Sequence, residues 1–321
     1  MQAPIETTFR ESIAMGIRDS MRADPSVFIF GLDVPDHKRI YGSTVGILEE
    51  FGPSRCFGTP LSEDAMTGVA LGAAISGLKP IHVHIRADFM LLGMNQIANM
   101  ISTIHYISGG KINVPLVIRA VIGRGWGQGA QHSKSLHGVF AHIPGIKVVM
   151  PTTPQDAYSL MRTSIEDPNP VLFLEHRWFY DISGKVDPNY KDELGKAIVR
   201  REGRDLTLVC TSWMTIEAMK AAEILERSGF SCEVIDVRSI YPLDQKTLVD
   251  SVKKTKNCMV LDYDWVYSGF SAELSATISE SCFHDLKRPI RRMGFEPVPC
   301  PTTRHLETLF FPSAPKIISG N

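Results

Sequence analysis

The chain has 321 residues, a formal net charge of −1 and a hydrophobic fraction of 44%. This length predicts two domains, and the near-neutral charge argues against a surface for nucleic acid or anionic membranes. No apolar run reaches membrane-spanning length, and the first residues lack the pattern of a secretory signal. The six cysteines form no C-x-x-C pair, which argues against zinc or disulfides and predicts a cytoplasmic protein.

Strand and helix patterns alternate along the first part of the chain. Phe9, Ile13, Ile17 and Met21 recur every four residues and predict an amphipathic opening helix. Further strands are predicted at 27–30, 80–85, 114–120, 147–150 and 171–175, and helices at 47–51, 59–77, 89–106 and 155–165. Alternation of this kind is typical of a parallel α/β sheet.

The stretch Thr59–Gly77 is predicted to be a turn followed by a tightly packed helix. Ser62 is a candidate N-cap, and Glu63 and Asp64 fall in the first turn, where the helix dipole favours negative charge. The glycines and alanines behind them leave little bulk, and a helical glycine costs about 1 kcal/mol relative to alanine. We therefore expect a buried helix that another backbone approaches closely. From these residues alone, two dipole-matched acids on a capped core helix explain the pattern.

Residues 176–204 have little apolar periodicity and are predicted to be a linker. A second α/β unit follows, with strands at 206–210, 232–237 and 259–261 and helices at 215–228, 243–254 and 271–281. The sequence thus predicts the α/β class, with two parallel-sheet domains at residues 1–190 and 200–321.

Some polar segments suggest sites without defining one. The glycine-rich segment 122–133 lacks G-x-G-x-x-G spacing, so it is predicted to be a flexible loop that places polar groups. His82 and His84 share one strand face, but without a third ligand nearby a polar face is favoured over a metal site. Ser133 follows His132, yet no nucleophile elbow accompanies them, which argues against a hydrolase.

Several segments closely resemble the β-subunit of thiamine-diphosphate-dependent 2-oxo acid dehydrogenases, the pyruvate, branched-chain and acetoin enzymes. The resemblance is carried by TPLSE, GVALGAAISGLKPI, QHS, PGIKVVMP, EVIDVRSIYPLD and MGFEPVPCP, and it covers nearly the whole chain. It implies a pyrimidine-binding α/β domain followed by a transketolase C-terminal-like domain. It also implies decarboxylation of a 2-oxo acid and transfer of the acyl group to a lipoyl carrier.

The resemblance assigns roles to five residues. The family glutamate matching Glu63 hydrogen-bonds a ring nitrogen of the cofactor's aminopyrimidine and stabilises the imino tautomer that removes the thiazolium proton. Phe89 matches the aromatic residue stacked on that ring; the alternative is a core phenylalanine. Leu61 and Ile85 match apolar neighbours of the ring, although core packing fits them equally. His132 matches the histidine at the active-site mouth, which can orient a substrate carboxylate or donate a proton.

A potassium site is also implied. Family members build it from carbonyls matching Leu116, Ser164, Asp167 and Asn169, with the aspartate side chain contributing. A helix end followed by a turn would leave free carbonyls here in any case, so an ordinary turn is the alternative.

Two departures from the family pattern bear on function. Leu32 stands where members commonly carry an acid assigned to a proton relay between active sites, and leucine cannot relay a proton. Many pyruvate enzymes have aromatic or small residues where this chain has His84, Arg86 and Ala87. Arg86 and Asp88 place charge beside Phe89. This predicts a polar or anionic substrate, for which Arg86 is a candidate contact, or else a structural Arg86–Asp88 pair.

The family's magnesium and diphosphate site is a G-D-G motif in the α-subunit, and no GDG occurs in this chain. The resemblance therefore implies half an enzyme, working with an α partner that holds Mg²⁺ in an α2β2 heterotetramer, and with a lipoyl-bearing acyltransferase. One alternative is a subunit of a split transketolase-like or acyloin-forming carboligase. Another is a non-catalytic scaffold, which retention of Glu63 and His132 disfavours.

Overall fold

The computed structural model describes residues 3–123 and 127–320. They form two compact units, one from residues 3–123 and 140–194 and the other from 127–139 and 195–320. The segment 127–139 thus interrupts the first unit in sequence but belongs to the second. None of the described helices is long and apolar enough to cross a membrane.

The first unit is built on a parallel sheet. Its strands are β1 (Ile5–Thr8), β2 (Val27–Gly31), β3 (Cys56–Phe57), β4 (Lys79–His84), β5 (Val117–Ile122), β6 (Lys147–Val149), β7 (Val171–His176) and β8 (Ser183–Val186). Six of them pair in parallel in the order β6–β7–β5–β4–β2–β3, and β1 and β8 form an antiparallel ribbon. Every residue of β5 and β7 is buried, as expected where helices cover both sheet faces. Arg119 and Glu175 on these strands pair with each other, with Nε 3.0 Å from each carboxylate oxygen.

Two of the longer helices of this part begin at side-chain caps. The helices between β1 and β8 are α1 (Phe9–Ala23), α2 (Ile47–Phe51), α3 (Glu63–Ile75), α4 (Ala87–Met90), α5 (Ile104–Ile107), α6 (His137–Ala141) and α7 (Pro154–Glu166), of which α6 begins in the segment 127–139. Thr8 and Glu11 form a capping box on α1, and Thr153 and Asp156 form one on α7. The predicted apolar positions of α1 are all at most 1% exposed, which confirms that helix.

The single regular helix predicted at 89–106 is wrong. The backbone there passes from α4 through a 3₁₀ turn at Leu91–Gly93 and a π-helical stretch at Gln96–Ile101 to α5. A Cβ on Gly93 would lie 2.9 Å from Thr67 Oγ1 and 3.4 Å from the Glu63 carbonyl oxygen. Close packing against the first turns of α3 therefore overrides the regular helical pattern in this segment.

The expectation that α3 is buried is also wrong in this chain. Its buried residues are Thr67, Ala70, Leu71 and Ala74. On the opposite face Val69 is 52% exposed, and nothing lies within 4 Å of the space beside Gly72. Ser62 occupies the N-cap position, but its side chain makes no capping hydrogen bond. The small residues therefore leave one face of the helix open to solvent.

The second unit contains a five-stranded sheet. The strands of this sheet are β9 (Ile198–Arg201), β10 (Leu206–Cys210), β11 (Cys232–Asp236), β13 (Cys258–Trp265) and β14 (Arg291–Phe295), and the short strand β12 (Ser239–Tyr241) lies outside it. The helices of the second unit are α8 (Met214–Glu226), α9 (Gln245–Thr255), α10 (Phe270–Cys282), α11 (Arg304–Phe310) and α12 (Ala314–Ser319). The order is β14–β13–β10–β11–β9, with only β9 antiparallel to its neighbour.

Two strands of this sheet, β9 and β14, were not predicted from the sequence. The linker predicted at 176–204 in fact contains β8 and β9, and β14 was not expected at all. β9 and β14 are the two edges of their sheet, and each carries a pair of arginines. Edge strands are covered on fewer sides and often carry charge, so their apolar pattern is weak.

Candidate active site

The start of α3 and the end of β4 line an open cavity in the first unit, and Leu61 at its edge is 73% exposed. Leu61, Glu63, Ile85 and Phe89 all line it, so the structure brings together every residue assigned to the pyrimidine ring. Leu32, the departure from the family pattern, lines the same cavity.

Glu63 is the first residue of α3 and is half-buried. Its carbonyl oxygen accepts a hydrogen bond from Thr67 Oγ1 at 2.7 Å. Gly93 allows the following 3₁₀ turn to pack directly behind this first turn. The position of Glu63 is therefore fixed by the helix start and by a close backbone contact.

His82 and His84 also line the cavity, although the sequence indicated only a polar strand face. They are 3% and 4% exposed, and their ring centroids lie 4.4 Å apart. Burial lowers the pKa of His82 to about 4, and burial together with the neighbouring His82 lowers the pKa of His84 well below its ordinary value. Both rings are therefore neutral near pH 7. No sequence pattern indicated this burial, which follows from the position of β4 between β2 and β5 in the sheet.

Arg86 follows β4 and is buried, with 1% exposure. Its Nη1 donates a hydrogen bond to the Gly123 carbonyl oxygen at 2.7 Å. Gly123 is the last described residue before the gap at 124–126, where part of the predicted glycine-rich loop lies outside the described residues. This contact holds the chain at the point where that segment begins.

His132 lies on the segment 127–139, directly after a 3₁₀ turn at Gly129–Gln131. It is half-buried, and its backbone N–H donates to the Gly129 carbonyl oxygen at 3.4 Å. His132 belongs to the second unit and Glu63 to the first.

The four residues assigned to potassium surround the C-terminal end of α7 and the start of β5. Lys147 Nζ lies 2.7 and 2.6 Å from the two carboxylate oxygens of Asp167, and Asn169 N–H donates to Asp167 Oδ1 at 2.9 Å. The Leu116 carbonyl accepts from Val171 N–H at 3.0 Å. Asn169 Oδ1 is buried without a hydrogen-bond partner among the described residues. An orphaned oxygen of this kind fits a monovalent cation, while Lys147 already neutralises the carboxylate.

Comparison with known proteins decides the family. The transketolase pyrimidine-binding domain model matches residues 6–181, and the transketolase C-terminal domain model matches residues 195–317. The mitochondrial pyruvate dehydrogenase E1 component subunit beta-2 of Oryza sativa subsp. japonica is 37% identical over 98% of this chain and 85% of its own length. The 2-oxoisovalerate dehydrogenase subunit beta of Bacillus subtilis (strain 168) is 36% identical over 97% of this chain and 96% of its own. This chain belongs to the E1 β-subunit family of thiamine-diphosphate-dependent 2-oxo acid dehydrogenases.

The predicted family, fold class and enzyme class are thereby confirmed. A split-gene transketolase solved as an inactive β4 tetramer has the same fold, with a TM-score of 0.79 and 21% identity over 97% of this chain and 95% of its own. As an E1 β-type chain, the protein works with thiamine diphosphate and with an α subunit. Its Glu63 cavity lies within the residues that match the pyrimidine-binding domain.

Proposed function

We propose that this chain supplies the pyrimidine half of an E1 active site that decarboxylates a 2-oxo acid and passes the acyl group to a lipoyl carrier. The observation that supports the proposal is the cavity that Glu63 shares with Leu61, Ile85 and Phe89. One carboxylate among apolar and aromatic walls suits a flat ring that carries nitrogen atoms. Residues 1–190 form the pyrimidine-binding domain in this proposal, except that the segment 127–139 groups with the second unit, and residues 200–321 form the C-terminal domain.

Each residue of the cavity has a defined task. When the cofactor is bound, the Glu63 carboxyl group would share a proton with a ring nitrogen of the aminopyrimidine, and Phe89 would stack on that ring. Ile85 excludes water from the ring edge, which strengthens the hydrogen bond to Glu63. Leu61 is 73% exposed in this chain, so it covers the ring only once the α subunit is assembled on it. Thiamine diphosphate, when bound, supplies the electron sink for decarboxylation.

His132 acts on the substrate side, where an imidazole orients the 2-oxo acid carboxylate or donates a proton. Arg86 is the second candidate for a substrate contact. Its hydrogen bond to the Gly123 carbonyl supports a further task, which is to fix the chain before the segment that carries His132.

The remaining parts of the enzyme come from partners and ions. The α subunit holds the diphosphate and Mg²⁺ in an α2β2 heterotetramer, and a lipoyl-bearing acyltransferase accepts the acyl group. A potassium ion bound by Leu116, Ser164, Asp167 and Asn169 braces the end of α7, supported by the orphaned Asn169 oxygen. All six cysteines are free thiols within the described residues, which supports a cytoplasmic location.

The decisive experiment is Glu63→Gln in the co-purified α–β enzyme, with hydrogen–deuterium exchange followed at the thiazolium carbon of the bound cofactor. Glutamine keeps the shape but cannot give up a proton, so we expect exchange to slow by about 10²-fold or more. Asp64→Asn is the matched control, because Asp64 is exposed in the same helical turn. It removes the same dipole-matched charge, worth about 0.3–1 kcal/mol, and leaves exchange unchanged.

Wild-type exchange in a destabilised Glu63→Gln enzyme would show that Glu63 is a structural capping residue, and would contradict the proposal. A screen of 2-oxo acids with the same assembled enzyme, with and without a lipoyl acceptor, then identifies the substrate. Transfer to an aldehyde in preference to the lipoyl group would favour a carboligase instead.

A further inference from the structure

A buried polar cluster joins the segment 127–139 to the body of the second unit. This His137 cluster consists of Ser135, His137, Thr211, Asp262 and Ser271, all of them at most 1% exposed. His137 Nε2 lies 2.9 Å from Asp262 Oδ1, and Ser135 Oγ lies 2.9 Å from His137 Nδ1. Thr211 Oγ1 donates to Asp262 Oδ1 at 2.7 Å, and Ser271 N–H donates to Asp262 Oδ2 at 2.9 Å.

The charges of the cluster complement each other. Burial alone would lower the pKa of His137, but the Asp262 carboxylate outweighs burial and raises it. Burial alone would raise the pKa of Asp262, but His137, Thr211 and Ser271 outweigh burial and lower it. A second carboxylate, Asp264, lies 3.9 Å from His137 Nδ1. These contacts favour an ion pair, whose disruption would leave an unpaired charge in the interior.

The backbone of the segment lies against the second unit on both sides of His132. Gly129 has φ +65°, and a Cβ there would lie 2.6 Å from Thr302 Oγ1. A Cβ on Gly138 would lie 3.1 Å from the Phe270 backbone nitrogen, and the ring of His137 meets the Phe270 ring edge-on at 5.7 Å. The chain is therefore held in place on both sides of His132, at Gly129 and at His137.

Ser135, His137 and Asp262 are also the residue types of a hydrolytic triad. All three are 0% exposed, so no substrate reaches the Ser135 hydroxyl, and that interpretation fails.

We propose that His137 is a positioning residue for the reaction. Its contacts with Ser135 and Asp262 fix its own position and thereby determine the position of the His132 side chain. The inference rests on the proposed substrate-side role of His132. His137 itself touches neither substrate nor cofactor. It acts through the short length of chain between the two histidines.

The test compares His137→Ala, His137→Gln and His132→Ala in the assembled α–β enzyme, well below the melting temperature of each variant. We expect His137→Ala to reduce kcat/KM for the 2-oxo acid by on the order of 10²-fold, the cost of a catalytic group displaced by about 1 Å. Thiamine diphosphate affinity should not change, and amide hydrogen exchange should quicken across 127–139. His137→Gln should recover most of the activity, because its amide can still donate to Asp262. His142→Ala, an exposed histidine beyond the cluster, is the matched control.

Wild-type kcat/KM in His137→Ala, combined with impaired turnover in His132→Ala, would overturn the positioning role and leave the role of His132 intact. Wild-type turnover in His132→Ala would overturn both. If His137→Ala does not fold, Asp262→Asn decides the matter, since it weakens the pair without creating a cavity: reduced kcat/KM supports the positioning role, and wild-type kcat/KM overturns it. Loss of cofactor affinity in step with activity would show a merely structural role and would also overturn the proposal.

Discussion

The hydroxyl of Thr67 lies 3.3 Å from Nε2 of His82, and this contact ties the first turns of α3 to β4. The same hydroxyl donates to the Glu63 carbonyl, so one side chain links Glu63 to the buried histidine behind it. His82 also stacks on Phe30, with 4.8 Å between the ring centroids. Behind Glu63 the cavity wall is therefore formed by the neutral imidazole of His82, which contacts Thr67 on one side and Phe30 on the other.

The first prediction concerns acid stability. His82 titrates near 6.5 when unfolded and at about 4 when folded, so the unfolded chain binds the extra proton between these values. The stability of the native chain is therefore fully present above pH 6.5 and falls as the pH drops toward 4. His82→Leu should remove up to about 3 kcal/mol of this pH dependence, measured by denaturant unfolding from pH 4.5 to 7. Parallel pH dependences in wild type and His82→Leu would contradict the assignment, and exposed His142→Leu is the control.

The second prediction concerns Asp264. Burial raises its pKa to about 6, so its contribution favours folding most at low pH and is lost as the pH rises from 3.8 through about 6. Asp264→Asn should stabilise the chain at pH 7.5 by about 1–3 kcal/mol and have little effect at pH 4. Asparagine retains the oxygen that accepts the Trp265 N–H at 2.9 Å. Denaturant unfolding at the two pH values measures the effect, with exposed Asp250→Asn as control. Equal stability of Asp264→Asn and wild type at pH 7.5 would refute it.

The third prediction concerns assembly. The isolated chain should fold but bind thiamine diphosphate weakly, because the diphosphate–Mg²⁺ half of the site belongs to the α subunit. Titration calorimetry with and without Mg²⁺ measures this directly. Tight, magnesium-dependent binding by the chain alone would rule out a site divided between subunits.

The fourth prediction concerns His132. His132→Ala should leave cofactor affinity nearly intact and slow decarboxylation or acyl transfer by about 10²–10⁴-fold, the range for a lost general acid. Single-turnover kinetics of the assembled enzyme separate the two steps. Unchanged turnover on the true substrate would remove His132 from the active site.

The fifth prediction concerns potassium. Replacing KCl with an equal concentration of N-methylglucamine chloride should lower the thermal midpoint of the chain. Above saturation, each tenfold rise in K⁺ adds about 1.4 kcal/mol of stability. Asn169→Leu should weaken this dependence, because the buried amide oxygen is lost while the backbone carbonyls remain. Identical midpoints in the two salts would exclude a specific cation.

Much of the fold follows from local pattern. The four-residue repeat of Phe9, Ile13, Ile17 and Met21 predicts α1 because burial of one helix face demands that spacing. The central strands are predictable for a similar reason, since cover on both faces requires apolar runs. The Glu63 cavity was predictable only through resemblance, because a capped helix explains Glu63 and Asp64 equally well.

The features that the sequence did not predict depend on contacts between residues that are distant in the chain. The tightened backbone at Gly93 follows from packing against Thr67, which is distant in sequence. The pairing of His137 with Asp262 spans 125 positions, and no periodicity reports such a contact. His82 and His84 are polar residue types, so their burial follows only from the position of β4 inside the sheet.

The membership of 127–139 in the second unit has a consequence for synthesis on the ribosome. Residues 127–139 emerge early, but Asp262, Phe270 and Thr302, which hold them, follow roughly 120 or more residues later. At about 5–20 residues per second, the nascent segment waits on the order of 6–25 s or longer for its contacts. During that interval His137 lacks both the carboxylate of Asp262 and the ring of Phe270. The second unit can complete its folding only after most of its own sheet has left the ribosome.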